Sequence, residues 1–365
     1  MRRSSANRGL SRSHADDIRL WRSVSPWGVG LLVVAGLALP FAMSDFQSSV
    51  AVYAGIAAIA GIGLNLLTGF TGQVSLGHAA FLGVGAYTAA YLGTELELPL
   101  VVWLPGAALA GGLVGGVIGP FALRLRGNYL AIVTIGLVFI AQYVFESWTS
   151  VTGGLNGRSV TSPTEVGPVD VEGLEVFGRT LTRDQGWFYL VWLLVGFVAL
   201  TTKNLVRSRV GLAMQAVRDR DRAAEAIGVR LARYKVLAFV LSSSLGAAAG
   251  ALHASYQRFI HPSEFSLYLS ITYIAIIGVG GIGIVFGGVV GALFITAIPR
   301  LIEEISPSIP FVSTGTGDDG FITVFSLNQA IFGLLIITFL VLEPRGLAAM
   351  WLRVRLYFRA WPFSY

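Results

Sequence analysis

An all-α bundle of membrane-crossing helices is the fold this sequence predicts, and three observations predict it. Hydrophobic residues make up 54% of the 365 and charged ones only 13%, where a soluble domain carries about a quarter. Mean hydropathy is +0.70. The apolar residues fall into runs near the roughly 20 that a helix needs to cross hydrocarbon.

The chain opens on Met1–Ser25, where Arg2, Arg3, Arg8, Arg12, Arg19 and Arg22 precede the first apolar run. Such a leader looks like a transit peptide or the start of a signal sequence. The run that follows lacks a clear small-residue cleavage site and more spans come after it, so residues 1–25 are expected to be a retained cytoplasmic tail. Spans are expected at Trp27–Met43, Gln47–Thr68, Leu76–Gly93, Pro99–Phe121, Asn128–Glu146, Trp187–Thr202, Val236–Tyr256, Leu267–Gly281, Ile284–Ile302 and Asn328–Leu342, about ten in all. Residues 267–302 can equally form one bent element or a re-entrant pair, because the Gly278-Val-Gly-Gly-Ile-Gly283 break is apolar on both sides and need not reach water. One transmembrane domain, 26–346, is expected, with a cytoplasmic loop at 203–235, outer loops at 147–186 and 303–327, and a cytoplasmic tail at 347–365.

Orientation follows from where the cations lie, since lysine and arginine gather on the cytoplasmic side. With the N-terminus inside, the inner loops hold Arg124 and Arg126, the 203–235 segment, and Arg345, Arg353, Arg355 and Arg359. The outer loops hold Asp45, Glu95, Glu97, then Glu165, Asp170, Glu172, Glu175 and Asp184, and finally Glu303, Glu304, Asp318 and Asp319. Both ends are therefore expected inside, and the basic balance belongs to these loops rather than to nucleic-acid binding. Of the outer loops, 147–186 has a turn-rich entry, Thr152-Gly-Gly-Leu-Asn-Gly157, followed by alternating Val, Glu and Leu that suit a short hairpin. Glycines four apart (Gly111/Gly115, Gly112/Gly116, Gly115/Gly119, Gly246/Gly250, Gly287/Gly291) make smooth strips where helices approach closely, either within one bundle or at a dimer face.

Enzymatic chemistry finds no footing. There is no cysteine, which excludes disulfides, thiolate metal sites and thiol nucleophiles. No Gly-Lys dipeptide exists, so a Walker A loop is absent and this polypeptide is not expected to hydrolyse nucleotide by itself. His14, His78, His253 and His261 have no zinc spacing. Gly278-Val-Gly-Gly-Ile-Gly283 matches a dinucleotide fingerprint but lies between membrane-length runs instead of a strand and a helix. Gly72-Gln-Val-Ser-Leu-Gly77 has the wrong spacing for a nucleophile elbow. No catalytic residue, metal site or cofactor is expected.

Two stretches stand out. Lys203–Lys235 carries nine basic residues against three acids, a net +6. Within it, Asp219–Gly228 is expected to form a short helix of about two turns, with Asp219 as its cap, Asp221 near the positive end and Gly228 as a left-handed stop. Ala223, Ala224 and Ile227 are expected to share one face suited to a groove on a soluble partner; the alternative is a solvated loop that merely obeys topology. The second stretch, Gly61–His78, sets Asn65, Thr68, Thr71, Gln73, Ser75 and His78 between two spans. Broken backbone at membrane depth persists only where it is buried in protein or lines a cavity, so this is the candidate translocation path; for His78 the alternative is simple packing against a neighbour. Glu146 and His253 lie near span ends and no Asp or Lys lies mid-span. Ion-coupled carriers place carboxylates there, so energy is expected from outside the chain.

Five blocks together resemble the LivM-type permeases of branched-chain amino acid ABC importers: Gly63–Phe81, Gly127–Thr134, Thr152–Gly157, Arg218–Gly228 and Leu342-Glu-Pro-Arg-Gly346, in the same order from about residue 30 onward. The resemblance implies the ABC importer permease fold, a second LivH-like permease subunit, two ATPase subunits on the cytoplasmic side, an extracytoplasmic substrate-binding protein, and a place in the cytoplasmic membrane amid lipid. It gives 219–228 the role of coupling helix: Arg218, Asp219, Ala223, Ala224, Glu225 and Gly228 match or flank the family's Glu-Ala-Ala-x-x-x-Gly pattern, with Arg222 where the family has Glu. Asn65, Thr68, Gln73, Ser75 and His78 would then line the substrate path. Branched-chain amino acids are the implied cargo; urea or short amides on the same machinery, or a stand-alone carrier or channel, are the alternatives.

Overall fold

The computed structural model describes residues 36, 38–122, 129–166, 169–173, 175–176, 179–305, 312–313, 322–342, 346–348 and 350. The tail 1–25, most of the expected span 27–43, Arg124, Arg126, Arg345, much of loop 303–327 and most of 347–365 lie outside the described residues.

A capping box starts the helix that follows Ser44: the Ser44 hydroxyl accepts from the Gln47 N–H, and the Gln47 side chain accepts from the Ser44 N–H. Helix α1, Asp45–Thr71, then runs 27 residues, about 40 Å, and stops at Gly72, whose φ of 70° lets its N–H return to the Leu67 and Thr68 carbonyls. Because α1 is apolar all round it is buried along nearly its whole length. Helix α8, Leu231–Gln257, lies antiparallel to it, with Tyr53 against His253 and Tyr256 at one end and Gly63 against Ser242 and Leu245 farther along.

The other helices pack around this pair. The longer ones are α2 (His78–Ala89, continued by a wide turn Ala90–Glu95), α3 (Leu100–Ala122), α4 (Tyr129–Ser147), α5 (Arg183–Arg207), α6 (Arg209–Asp219), α7 (Asp221–Ala226), α9 (Leu267–Gly280), α10 (Val285–Ile305) and α11 (Val324–Leu342). Glycine decides which faces meet. A Cβ at Gly111 or Gly115 would run into Ala247 or Ser243 of α8, one at Gly250 would overlap the Leu82 carbonyl, and one at Gly291 the Ile276 carbonyl. The glycine strips are thus used within the chain, although Gly112 and Gly116 have room, their nearest neighbours on α8 lying 3.6 Å away.

Among the described residues five helices are long and apolar enough to cross a membrane, α1, α3, α4, α5 and α8, and α9 and α10 together form a pair bent by 116°. The chain is an integral membrane protein, but the expected ten crossings do not all appear as membrane-length helices among the described residues. Helix α2 is only 12 residues before its turn widens, and the apolar part of α11 is Gln329–Phe339. Of the expected alternatives for 267–302, one straight span is excluded by the 116° bend, and Leu269 of α9 and Arg300 of α10 both border one cavity. Strand among the described residues is confined to two-residue ladders, including Glu165–Val166 with Val169–Asp170 in the loop where a hairpin was expected, and Arg158–Ser159 with Phe259–Ile260. Large apolar side chains on α3, α4 and α5, such as Leu113, Tyr143 and Leu193, face outward from the bundle, as lipid or another apolar surface requires.

Candidate functional site

Four of the five sequence blocks meet at one corner, where α1 ends and the α9–α10 pair breaks. Asn65 is buried on α1, and its amide Nδ2 donates to the carbonyls of Gly281 (3.3 Å) and Ile284 (2.8 Å) while Oδ1 accepts from the Gly283 N–H (2.8 Å). One side chain thereby gives the Gly283 N–H its acceptor and adds a second donor to two carbonyls that also accept from the Ile284 and Gly287 N–H groups. Gly281 (φ 126°) and Gly283 (φ 79°) hold conformations that side chains resist. Gly69, one turn beyond Asn65, has no room for a Cβ because Asn65 Oδ1 and the Gly283 backbone fill the space.

Arg218, the last turn of α6, closes the corner from the basic loop. Its Nη1 donates to the Gly69 carbonyl at 2.9 Å, and a Cβ at Gly283 would stand 3.2 Å from that same nitrogen. Nε and Nη2 both reach Asp219 Oδ1, at 3.0 and 2.9 Å, which fixes the guanidinium plane. Gly346, at φ 75°, packs backbone to backbone on Gly281. The hydroxyl of Thr134, from the Gly127–Thr134 block, accepts from the Leu76 N–H at 2.9 Å.

The remaining expected path residues are consumed by the turn itself. Thr68 Oγ1 donates to the Gln73 carbonyl (3.1 Å); Gln73 Nε2 donates to Thr71 Oγ1 (2.9 Å) and the Lys235 carbonyl (3.2 Å); Ser75 Oγ accepts from the Gly77 N–H (3.3 Å). His78 is buried with Nε2 3.0 Å from the Ala60 carbonyl, and since a carbonyl only accepts, Nε2 carries the proton. Its ring meets Tyr273 edge-on at 5.3 Å. None of Asn65, Thr68, Gln73, Ser75 and His78 borders the large cavity at the opposite end of the bundle.

The charged segment differs from expectation in two details. Asp219 ends α6 instead of capping the next helix; Arg220, extended at φ −157°, takes the cap position without a side-chain bond, and α7 is six residues long. Ala223, Ala224 and Ile227 do not share a face. Ala224 is 2% exposed, with α7 packed on α6 and α8, whereas Ile227 is 78% exposed and Ala223 points out beside it. Helical geometry explains the split: residues four apart nearly eclipse, but adjacent ones diverge by about 100°. Asp221 pairs with Lys235 at 2.7 Å and Gly228 stops the helix at φ 88°, so the segment is tied at both ends with Arg222, Ala223, Glu225 and Ile227 exposed.

A cavity of about 470 Å³ opens at the end of the bundle away from this segment, between α1, α8, α9, α10 and α11. Arg300 borders it, 5.4 Å from the Tyr53 ring centroid; so does His253, whose Nε2 is 3.4 Å from Glu264 Oε2. His253 stood out only as a histidine near a span end, and Arg300 was not singled out. Arg300 carried the signal, a cation inside the apolar run Ile284–Ile302, and an intramembrane charge is by default a functional candidate. Just outside, Glu172 accepts from Arg183 Nε (2.9 Å) and Trp187 Nε1 (3.2 Å) and pairs with Arg258. Burial pushes its carboxyl upward, but those donors and the two guanidinium charges outweigh it and hold the group below its ordinary value.

Residues 47–340 match the family model described as branched-chain amino acid transport system / permease component. The chain is 34% identical over 299 residues to the high-affinity branched-chain amino acid transport system permease protein LivM of Salmonella typhimurium, covering 76% of this chain and 68% of that protein. LivM of Escherichia coli strain K12 gives the same figures, 34% over 299 residues. LivH of Salmonella typhimurium is 25% identical over 256 residues, 65% of this chain and 79% of that one. No solved structure matches. The matched span takes in Asn65, Arg218 and the glycine break alike, and the chain belongs to the family of permease components of branched-chain amino acid transport systems.

Proposed function

We propose that this chain is the permease subunit of an ATP-driven importer in the cytoplasmic membrane, with both termini inside, and that it carries branched-chain amino acids inward. Two ATPase subunits on the cytoplasmic side, a second LivH-like permease and an external binding protein complete the assembly. The observation that carries the reading is the direct link from the charged segment to the break: Arg218, one turn before α7, is bonded to the Gly69 carbonyl beside Asn65 and Gly283. A partner seated on Ala223 and Ile227 displaces α7 and α6 together, and Arg218 passes the displacement to the glycine break between α9 and α10. Asn65, Thr68, Gln73, Ser75 and His78 act by holding the turn that shapes the path at this corner. Ala224 supports α7 from within, while Arg222 and Glu225 set its charge contacts.

The LivM relatives are named for branched-chain amino acids, and the sparse charges within the described spans suit a zwitterion with an aliphatic tail. The test is uptake into vesicles holding the whole assembly. Burying an isoleucine in a partner groove is worth about 1.5–3 kcal/mol, so Ile227→Asp is expected to lower leucine uptake about tenfold or more with the unfolding temperature unchanged. Wild-type uptake by Ile227→Asp and by Ala223→Arg would sink the coupling role of α7. Uptake of urea with no uptake of leucine would keep the importer and replace its cargo.

A further inference from the structure

Where the loop after α4 crosses the end of α8 it encloses a second space, a cleft of about 350 Å³ whose lining residues are all polar apart from Val160 and Pro163. Three carboxylates border it, Glu165, Asp170 and Glu172, against one cation, Arg258. Glu172 is already spent, its Oε2 on Arg258 and its Oε1 on Arg183. Glu165 and Asp170 stand directly opposite each other in their antiparallel ladder, and neither belongs to an ion pair among the described residues. Like charges placed so repel and weaken a ladder, so the fold alone gains nothing from the pair. Asp170 is nonetheless held in place, its Oδ1 accepting from the Thr164 hydroxyl at 2.9 Å and the Glu172 N–H at 3.0 Å. Ser255 borders the same cleft, is 4% exposed, and has an Oγ with no hydrogen-bond partner. Two carboxylates and a spare hydroxyl in one polar recess suit a donor that carries positive charge.

The surroundings narrow the choice of occupant. Anionic lipid headgroups are repelled by the same two carboxylates, and the described residues bring no further carboxylate or histidine into a group able to hold a metal ion. Beside the cleft, the Val160 N–H donates to the Arg258 carbonyl at 2.8 Å and continues the ladder of Arg158–Ser159 with Phe259–Ile260. Phe259 in that ladder and Leu155 just ahead of it are 43% and 68% exposed, and the Leu155 carbonyl accepts from His261 Nε2 at 2.7 Å. A braced apolar knob thus adjoins an acidic recess with room for one long side chain. We propose that this surface docks the external substrate-binding protein, a lysine or arginine of that protein entering between Glu165 and Asp170 toward Ser255 while an apolar patch beside it covers Leu155 and Phe259. The proposal rests on the permease reading for the partner and for the orientation, and adds the surface and the charge that the partner must bring.

The probe is the purified external binding protein of the assembly, titrated at several salt concentrations onto the whole assembly in lipid nanodiscs. Losing one charge-assisted contact costs about tenfold in affinity, so Glu165→Gln is expected to weaken docking by about that factor and Glu165→Lys by more, with a flatter salt dependence in each. The unfolding temperature of Glu165→Gln is expected to stay at or above that of wild type, because repulsion across the ladder is relieved. Docking by Glu165→Lys equal to wild type overturns the surface, and so does weak docking that comes with earlier unfolding of Glu165→Gln, which would make the carboxylate structural. Docking abolished by a chelator and restored by calcium also overturns it, by putting a metal ion where the side chain should be. ATP-driven leucine uptake by the wild-type assembly separates the two readings: uptake with docking indifferent to Glu165→Lys removes the surface and leaves the permease, and docking that Glu165→Lys abolishes, with no uptake, removes the transport reading and leaves the surface.

Discussion

Asn65 is the residue whose loss the bundle can least replace. Leucine at this position deletes two donors and an acceptor at once; the Gly281 and Ile284 carbonyls keep the Ile284 and Gly287 N–H groups, but the Gly283 N–H loses its partner. Such a group costs about 1–3 kcal/mol, so Asn65→Leu is expected to lower stability by about that amount in thermal unfolding of the detergent-solubilised protein. Asn65→Asp, nearly the same shape, is expected to do equal harm because it turns an oxygen toward two carbonyls. Glu172 gives a prediction of the opposite kind. Its folded carboxyl is held below the ordinary carboxylate value, so its clasp on Arg183, Trp187 and Arg258 stabilises fully above that value and is lost as pH falls through the folded one. The unfolding temperature of wild type is expected to approach that of Glu172→Gln only as pH falls below the ordinary carboxylate value; a gap that stays constant throughout that descent would remove the clasp. The sequence singled out the right stretch for Asn65, since a polar amide among leucines is conspicuous, but its work depends on backbone 216 to 219 residues away. Only the fold puts that separation within reach of a hydrogen bond.

Helix positions were legible from apolar runs, and every expected span within the described residues is helical. What the runs could not give is which face each helix turns inward, because glycine spacing is the same whether or not a neighbour arrives. Gly246/Gly250 and Gly112/Gly116 read alike, yet a Cβ at Gly250 overlaps the Leu82 carbonyl while one at Gly116 meets only Val240 at 3.6 Å. Gly250→Ala is therefore expected to cost about 1–3 kcal/mol through forced separation of α2 and α8, and Gly116→Ala to be neutral or slightly stabilising through helix propensity. Equal unfolding temperatures for the two variants would contradict the packing. Helix α7 shows the same limit on a smaller scale: three small or apolar residues within one turn or so resemble one face, but with Ala224 inward the outward pair is Ala223 and Ile227.

Across the whole molecule, charge separates by end: the segment 203–235 is basic, and the other end carries Asp45, Glu95, Glu172 and Asp184. The chain contains no cysteine, so one introduced thiol is a unique marker. With Ile227→Cys, a membrane-impermeant maleimide is expected to react only from the cytoplasmic side, and with Leu155→Cys, 68% exposed in the native chain, only from the outside; the reverse pattern would invert the topology. The corner where Gly346 rests on Gly281 and Asn65 grips residues 281–284 also constrains biogenesis. During synthesis α1 leaves the ribosome long before its partners exist, so Asn65 must wait, with its amide unengaged, until more than two hundred further residues have followed it into the bilayer. The knot at this corner is tied last, and a polypeptide cut short ahead of Gly281 offers the cell's quality-control proteases an open seam where the finished protein has none.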